Sequence, residues 1–312
     1  MLGFLLVVLL IPYLIAAYAL LLVKLRWGLR MFGAFIVVTI ALLTAMFIVE
    51  AYPIIERDGI AVFLETRWDP VRESYGVLQA LVGTILTSAV AMALAMPMAL
   101  GVAVTINEIL PSRLRSIFGS LVDLTATMPT VIFGLWGLFV LGPFLQDAVN
   151  SVSNFLLGYD VMTSPYTLFT AGVLLAIMIT PYAAAVIREG YALVPKPVEE
   201  AIYAMGATKF EAALIKLRYV KNYILGGFFL ALGRAMGETV AVAMVVGGNF
   251  SRFTTNIFES GITISSLIAL QFPNAAAYQY MVPALFAGAL LLTLFGLAIN
   301  AVAIYIIQRG QV

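Results

Sequence analysis

The chain consists of long apolar runs separated by short polar segments. Seven such runs stand out, and each is long enough to cross a bilayer as a helix, which takes about 20 residues. They are approximately residues 2–23, 31–49, 76–106, 121–141, 166–187, 222–246 and 283–307. The third run is long and contains Pro97, so we expect it to be tilted or kinked. The pattern predicts an all-α polytopic membrane protein.

Composition agrees with this class and excludes several others. The 312 residues are 63% hydrophobic and 11% charged, against about 25% charged residues in soluble domains. The net charge of +1 gives no sign of a nucleic-acid-binding surface. The chain has neither Cys nor His, which excludes disulfides, thiolate chemistry, His-bearing metal sites and a His-based proton relay. We therefore predict no metal site and no cofactor bound by this chain.

Loop charges predict the orientation, because Lys and Arg favour the cytoplasmic side of a membrane. The loops after the first, third and fifth runs, with the tail after the seventh, hold 12 basic residues, and the other loops hold four. This places the N-terminus outside and the C-terminus in the cytoplasm. The first run could instead be a signal peptide, but it lacks a basic n-region and is longer than a usual apolar h-region. We favour a retained helix.

Three polar segments are predicted to be external loops, namely residues 50–75, 142–165 and 249–282. The last of them contains an apolar stretch of about eleven residues, 262–272, which is too short to span a bilayer. We expect this stretch to form an interfacial or re-entrant helix that packs over an outer opening.

The predicted cytoplasmic segment 188–221 is too strongly patterned to be a simple linker. Pro197 suits the first turn of a helix, where its missing N–H costs nothing. Gly206 can supply a turn, and Thr208 with Glu211 forms a capping-box pattern at the start of a second helix. The segment therefore predicts two short helices at the membrane surface that dock another protein. The alternative is an amphipathic hairpin that lies on the membrane itself.

Two charges lie inside the sixth run. Arg234 is at its centre, where a charge costs about 2.5–3.5 kcal/mol, and Glu238 follows four residues later. On a continuous helix this spacing puts both on one face. We interpret the pair as the lining of a transport pathway. Thr239 can add a hydroxyl contact there, although we favour a hydrogen bond from its side chain back to its own helix. A neutralised pair that fastens one helix to another is the alternative. Gly233 and Gly237 form a small-xxx-small pattern that predicts close helix packing.

Two neighbouring motifs resemble those of a known family. Residues 200–208 resemble the EAA loop of ABC transporter permeases, with Glu200, Ala201 and Gly206 at its motif positions. Ile202 stands where the family usually has a second Ala. Directly downstream, residues 231–242 resemble the signature of phosphate-uptake permeases.

Further segments narrow the resemblance to the PstC family of phosphate permeases. Residues 67–70 and 133–138 are similar to that family in particular, and the resemblance covers about residues 60–307. Two departures stand out: Arg218-Tyr219 replaces a usual Leu-Pro, and the run at residues 2–23 is additional to the family's six helices.

The resemblance implies a type I ABC importer permease fold with six core helices and one extra N-terminal helix, in the cell membrane of a prokaryote. It divides the chain into the extra helix and basic loop (1–30), a helix with an external loop (31–75) and the permease core (76–312). The implied partners are a PstA-like second permease, two PstB-like ATPase subunits and an external PstS-like phosphate-binding protein. ATP and Mg²⁺ would bind at the ATPase partners, because this chain lacks the phosphate-binding loop G-x-x-x-x-G-K-[ST] and is not itself predicted to be an enzyme.

The resemblance and the chemistry of the pair together suggest roles for the candidate residues. Arg234, Glu238 and Thr239 would line the phosphate pathway. Because a guanidinium can pair with either a carboxylate or a phosphate, we expect Glu238 to hold Arg234 until an incoming anion competes for it. Glu200, Ala201 and Gly206 would belong to the element that couples to the ATPase. One alternative keeps the class and changes the cargo to sulfate, molybdate or tungstate. Another is a secondary transporter or channel, which would predict internal repeats and more intramembrane titratable groups.

Overall fold

The computed structural model describes Tyr18 and residues 25–309 except Ser251. Apart from Tyr18, the predicted first run at residues 2–23 lies outside the described residues. Among the described residues, five helices are long and apolar enough to cross a membrane: Trp27–Asp58, Leu78–Ile109, Thr130–Leu157, Leu168–Ala192 and Met281–Gln308. The prediction of an all-α polytopic membrane protein is confirmed.

The helices are named here in chain order. They are α1 (Leu25–Asp58), α2 (Ala61–Leu64), α3 (Leu78–Val104), α4 (Ser112–Ala126), α5 (Thr130–Trp136), α6 (Gly142–Leu157), α7 (Leu168–Ala192), α8 (Lys196–Ala204), α9 (Lys209–Tyr219), α10 (Lys221–Gly237), α11 (Val240–Val245), α12 (Ile264–Gln271) and α13 (Met281–Arg309). Two π-helical segments, Thr105–Ile109 and Gly137–Leu141, extend α3 and join α5 to α6. A 3-10 segment, Phe272–Ala277, follows α12.

A two-stranded hairpin separates α2 from α3. Its strands are β1 (Trp68–Asp69) and β2 (Ser74–Tyr75), which pair antiparallel with Trp68 opposite Tyr75. The two rings meet edge to face at 5.3 Å between centroids, and both side chains are buried. The predicted loop 50–75 is therefore partly ordered structure, since α1 also continues to Asp58.

Helix α7 forms the centre of the fold and pairs along its length with α3. Small side chains such as Ala91 and Ala95 on α3 and Ala171 on α7 are fully buried at this contact. Small residues allow helix backbones to approach closely, which is how helices gain packing energy in lipid. At Gly172 an added Cβ would lie 2.6 Å from Val90 Cγ1, so the approach here requires glycine.

A second buried cluster joins α1, α13, the hairpin and α12. Ile54 of α1, Leu285 of α13 and Tyr75 of the hairpin are among its largest fully buried side chains. The amide of Ile264, at the start of α12, donates to Thr84 Oγ1 of α3 at 3.0 Å. The short helix predicted at residues 262–272 thus forms as Ile264–Gln271, and it packs into the protein with Ile264 and Leu267 buried.

The fourth predicted run is wrong as a single helix. Helix α4 ends at Ala126, and the next helix begins at Thr130, directly after Pro129. Proline disfavours a helical conformation at the residue before it and suits the start of a helix, so it divides the run. The membrane-length helix is Thr130–Leu157. The predicted external loop 142–165 is also wrong over its first part, because Gly142–Leu157 forms α6.

Candidate functional site

The sixth run is two helices and not the continuous helix that its hydropathy predicts. Helix α10 ends at Gly237, and α11 begins at Val240. Between them Glu238 is extended, with φ −68° and ψ 128°. The expectation that Arg234 and Glu238 share one continuous helix face is therefore wrong, because the helical path ends between them.

Side chains satisfy backbone groups that this break releases. Ser265 Oγ of α12 donates to the carbonyl of Met236 at 3.2 Å. Thr239 Oγ1 donates to the carbonyl of Gly237 at 3.2 Å, and Glu238 Oε1 accepts from the amide of Ala241 at 3.4 Å. A broken helix at membrane depth requires such partners, since no water replaces lost backbone hydrogen bonds in lipid. Hydrogen bonds with side chains therefore stabilise the break, and the Glu238 carboxylate accepts one of them from the first turn of α11.

Arg234 lies on an aromatic ring and not against a carboxylate. Its Cζ is 4.3 Å from the centroid of the Tyr182 ring of α7, a cation–π contact of about 0.5–2 kcal/mol. Within the described part of the chain no ion pair joins Arg234 to Glu238 or to another acid. Its Nε is buried without a hydrogen-bond partner. The Tyr182 hydroxyl in turn donates to the carbonyl of Ala126, at the end of α4.

The face of α10 beside Arg234 is open in this chain. Gly233 and Gly237 are exposed, and no atom outside their own helical turns lies within 4 Å of where a Cβ would sit. Leu230 and Val240 are exposed to 53% and 42%. The close packing predicted for Gly233 and Gly237 does not occur within the described chain. The close packing therefore stays a prediction.

The two predicted surface helices are present as α8 and α9. Gly206 between them has φ +80°, a conformation that suits glycine. At the start of α9 the amide of Thr208 donates to Glu211 Oε2 at 2.8 Å, and the amide of Glu211 donates to Thr208 Oγ1 at 3.4 Å. The hydrogen bond from the Thr208 amide is the main cause that lowers the pKa of Glu211 from its ordinary value. The predicted capping box is confirmed.

The residues predicted for ATPase coupling lie on the outer side of these helices. Glu200 and Ala201 on α8 and Gly206 in the turn are all exposed. The acid that α8 turns inward is the neighbouring Glu199, whose Oε1 is 2.6 Å from Lys216 Nζ on α9. Exposed motif residues are available to a partner, and their coupling role stays a prediction.

Sequence reasoning missed the Lys216–Glu199 pair and two further ion pairs, each of which joins separate helices. Lys216 Nζ is also 2.6 Å from Glu108 Oε1, at the π-helical end of α3. Arg188 Nη2 of α7 donates to both carboxylate oxygens of Asp123 in α4, each at 2.9 Å. One local signal was available for Lys216, because it falls at the helical spacing of the buried Ala212, Ala213 and Val220.

Comparison with known proteins gives a family for most of the chain. Residues 92–311 match the model described as binding-protein-dependent transport system inner membrane component. The chain is 39% identical over 279 residues to the probable phosphate transport system permease protein PstC of Methanocaldococcus jannaschii, covering 86% of this chain and 88% of that protein. It is 38% identical over 266 residues to the phosphate transport system permease protein PstC of Xylella fastidiosa, covering 82% and 79%.

Solved transporters share the fold at lower identity. A chain from the crystal structure of a bacterial alginate ABC transporter, in complex with an alginate pentasaccharide-bound periplasmic protein, superposes with a TM-score of 0.57 at 17% identity, covering 94% of this chain and 93% of that chain. A chain of the inward-facing MetNI methionine ABC transporter gives 0.52 at 18%, covering 77% and 94%. The fold is that of a type I ABC importer permease. The chain belongs to the binding-protein-dependent transport system inner membrane components and, within them, to the PstC permeases.

Proposed function

We propose that this chain is a membrane-spanning permease subunit of an ATP-driven importer of inorganic phosphate. The 39% identity to the Methanocaldococcus jannaschii PstC protein over 86% of the chain supports this cargo. A PstA-like permease would complete the pathway, and a PstS-like protein outside would deliver phosphate. Two PstB-like subunits would bind ATP with Mg²⁺ and hydrolyse it. The chain contributes the pathway and the surface that couples it to ATP hydrolysis.

The observation that carries the proposal is the state of Arg234. Its guanidinium is half-buried on the Tyr182 ring, has no carboxylate partner among the described residues and borders the open face of α10. A guanidinium keeps its charge and presents a planar fork of donors that fits the oxygens of a phosphate group. The aromatic ring holds the cation without neutralising it, so the guanidinium can still pair with an anion in the pathway.

Glu238 has a different part in this proposal from that expected of a holding partner. Its carboxylate accepts from the Ala241 amide and fixes the break between α10 and α11, four positions beyond Arg234. A fixed negative charge close to the pathway opposes tight anion binding. Sites that conduct ions have to release as well as bind them. Glu238 therefore favours release of phosphate, while Arg234 favours its entry.

The proposed orientation puts α8 and α9 in the cytoplasm of a prokaryotic cell and the β1–β2 hairpin outside. These features lie at opposite ends of the span Leu78–Ile109, whose 32 residues measure about 48 Å as a helix. That length is sufficient to cross the membrane, so a coupling surface at one end leaves the hairpin on the other side. The excess of basic residues in the loops on the α8–α9 side supports this orientation.

The test is ATP-driven uptake of radiolabelled phosphate by vesicles that contain the chain with its second permease, ATPase and binding-protein partners. Replacing Arg234 with Ala removes a charged hydrogen-bonding group, so we expect uptake to fall about tenfold or more. Arg113→Ala is the matched control, because Arg113 is exposed on α4 away from the break. Wild-type uptake by an assembled Arg234→Ala complex would contradict the pathway role.

Two further conditions separate the alternatives. Unlabelled sulfate, molybdate or tungstate that competes as well as phosphate would assign the importer to another oxyanion. Uptake that persists without ATP would indicate a secondary transporter or a channel.

A further inference from the structure

A buried charge cluster joins the α8–α9 pair to the membrane helices. Lys216 Nζ lies 2.6 Å from Glu108 Oε1 and 2.6 Å from Glu199 Oε1. The Tyr191 hydroxyl donates to Glu108 Oε1 at 2.7 Å. The rings of Tyr191 and Tyr203 lie 5.7 Å and 5.6 Å from the ammonium, within the range of a cation–π contact. We call these five residues the Lys216 cluster.

The members of the Lys216 cluster come from four separate elements. Glu108 belongs to the π-helical end of α3, Tyr191 to the last turn of α7, Glu199 and Tyr203 to α8, and Lys216 to α9. One ammonium therefore ties both surface helices to the ends of the two helices that form the centre of the fold.

The π-helical segment at the end of α3 contains Glu108. The amide of Leu110 donates to the carbonyl of Thr105 at 3.0 Å, five residues back, and Asn107 Nδ2 donates to the carbonyl of Ala103 at 3.0 Å. A π-turn adds a residue to the turn and is frequently found at functional sites. Here it falls where α3 reaches the surface helices, with Glu108 directed to Lys216.

The charged centre of the Lys216 cluster is largely buried. The side chains of Lys216 and Glu108 are only 4% and 8% exposed, whereas Glu199 is 43% exposed. Burial alone lowers the pKa of Lys216, but the hydrogen bonds to Glu108 and Glu199 outweigh it and raise the pKa above its ordinary value. The lysine therefore stays charged. Separating a buried ammonium from its carboxylates leaves uncompensated charge, which is strongly unfavourable.

The chain itself provides one mechanical connection from the surface helices to the pathway, since α9 leads directly into α10. The Lys216 cluster provides a second connection that bypasses α10 and ends on α3. Helix α3 packs along α7, and its other end adjoins the hairpin on the opposite side of the protein.

We propose that Lys216 is a positioning residue that locks the α8–α9 pair to the π-helical end of α3, so that a displacement of the pair by an ATPase moves α3 together with α10. The proposal rests on the proposed function, in which an ATPase acts on α8 and α9. Lys216 acts through Glu108 and Glu199 and contacts neither ATP nor the transported anion. A displacement of the α8–α9 pair would then be transmitted to α3, which reaches the other side of the membrane, as well as to α10, which carries Arg234.

The first test measures whether the pair and α3 move as one body. The chain has no Cys, so Ile109→Cys and Ala204→Cys place spin labels at two exposed positions, one at the end of α3 and one at the end of α8. In the full complex we expect one narrow distance distribution that is unchanged between nucleotide-free and ATP-trapped states. A distance that changes with nucleotide in the otherwise wild-type protein would overturn the proposal.

The second test removes the ammonium. Lys216→Met keeps the length of the side chain without its charge, and Lys221→Met is the matched control at an exposed position. With Lys216→Met we expect the label distance to become nucleotide-dependent. We also expect the phosphate transported per ATP to fall roughly 2- to 30-fold, the range by which residues on coupling routes change coupling. Co-elution of the second permease and the ATPase subunits with the Lys216→Met chain distinguishes this loss from failure to assemble.

A conservative variant keeps the proposal testable if Lys216→Met does not assemble. Lys216→Arg retains the charge and should restore a fixed label distance and most of the transport per ATP. A Lys216→Met complex with wild-type transport per ATP and a fixed distance would contradict the proposal. The spin-label distances do not depend on the cargo. A complex that moves no phosphate would thus refute the proposed function while the distances still decide the role of Lys216.

Discussion

The guanidinium carbon of Arg234 lies 4.3 Å from the centre of the Tyr182 ring, across the contact between α10 and α7. An ion pair would have neutralised this charge and occupied its donors. A ring stabilises the cation through its negative face and leaves the edge of the guanidinium unoccupied. The contact is therefore compatible with the proposed role of the half-buried Arg234 in binding an anion.

We expect phosphate uptake to depend on the ring of Tyr182, which contacts Arg234, and not on the Tyr182 hydroxyl. Tyr182→Phe retains the aromatic face and loses the hydrogen bond to the Ala126 carbonyl. Tyr182→Leu loses both, including a cation–π contact of about 0.5–2 kcal/mol. We expect phosphate uptake by the reconstituted complex to be nearly normal with Phe and clearly reduced with Leu. Equal uptake by the two variants would show that the ring does not support Arg234.

Ser265 should stabilise the break between α10 and α11 from a distance of 29 residues along the chain. Ser265→Ala leaves the buried Met236 carbonyl without this donor, and an unsatisfied buried group costs about 1–3 kcal/mol. We expect a lower unfolding temperature for the purified protein in detergent. Ser120→Ala, at an exposed position of α4, is the control and should leave that temperature unchanged.

Hydropathy was sufficient to predict the helices whose ends are set by local sequence. The runs at residues 166–187 and 283–307 correspond to Leu168–Ala192 and Met281–Arg309. It failed where a break lies within apolar sequence. The fourth run is divided at Pro129 although its residues are apolar on both sides, and an average over the run conceals that division. Helix α6 carries many polar side chains, so hydropathy predicted a loop where the chain forms a helix.

The candidate site shows the same limit. The sequence marked Arg234 and Glu238 through the cost of charge in an apolar run, but their arrangement depends on Ser265 and Tyr182, which are remote in the chain. Likewise, Lys216 and Glu108 are 108 residues apart, and no local pattern pairs them. The capping box at Thr208 was predictable because both of its partners lie within one helical turn.

Replacement by Ala should lower the yield of folded protein at one glycine of α3 and be tolerated at another. At Gly83 an added Cβ would collide with the carbonyl oxygen of Ile262, and a backbone atom there cannot rotate away. Gly101, in the same helix, has no atom outside its own turn within 4 Å of that position. We expect Gly83→Ala to abolish or greatly reduce the yield of folded protein in detergent, whereas Gly101→Ala is tolerated. Equal yields would contradict the close contact between α3 and the segment before α12.

The capping box at the start of α9 should be sensitive to acid. Hydrogen bonds from the Thr208 amide and hydroxyl lower the pKa of Glu211 below its ordinary value of 4.5. A carboxyl whose pKa is lowered by folding stabilises the folded state above its unfolded pKa, and this stabilisation is lost as pH falls through the folded value. The first turn of α9 should therefore remain protected at neutral pH and open below about pH 4.5. Amide hydrogen exchange at Thr208 and in that turn, corrected for the intrinsic pH dependence of exchange, measures this change. In Glu211→Gln, which cannot ionise, the corrected exchange should not vary with pH, and an unchanged pH dependence would assign the effect to another group.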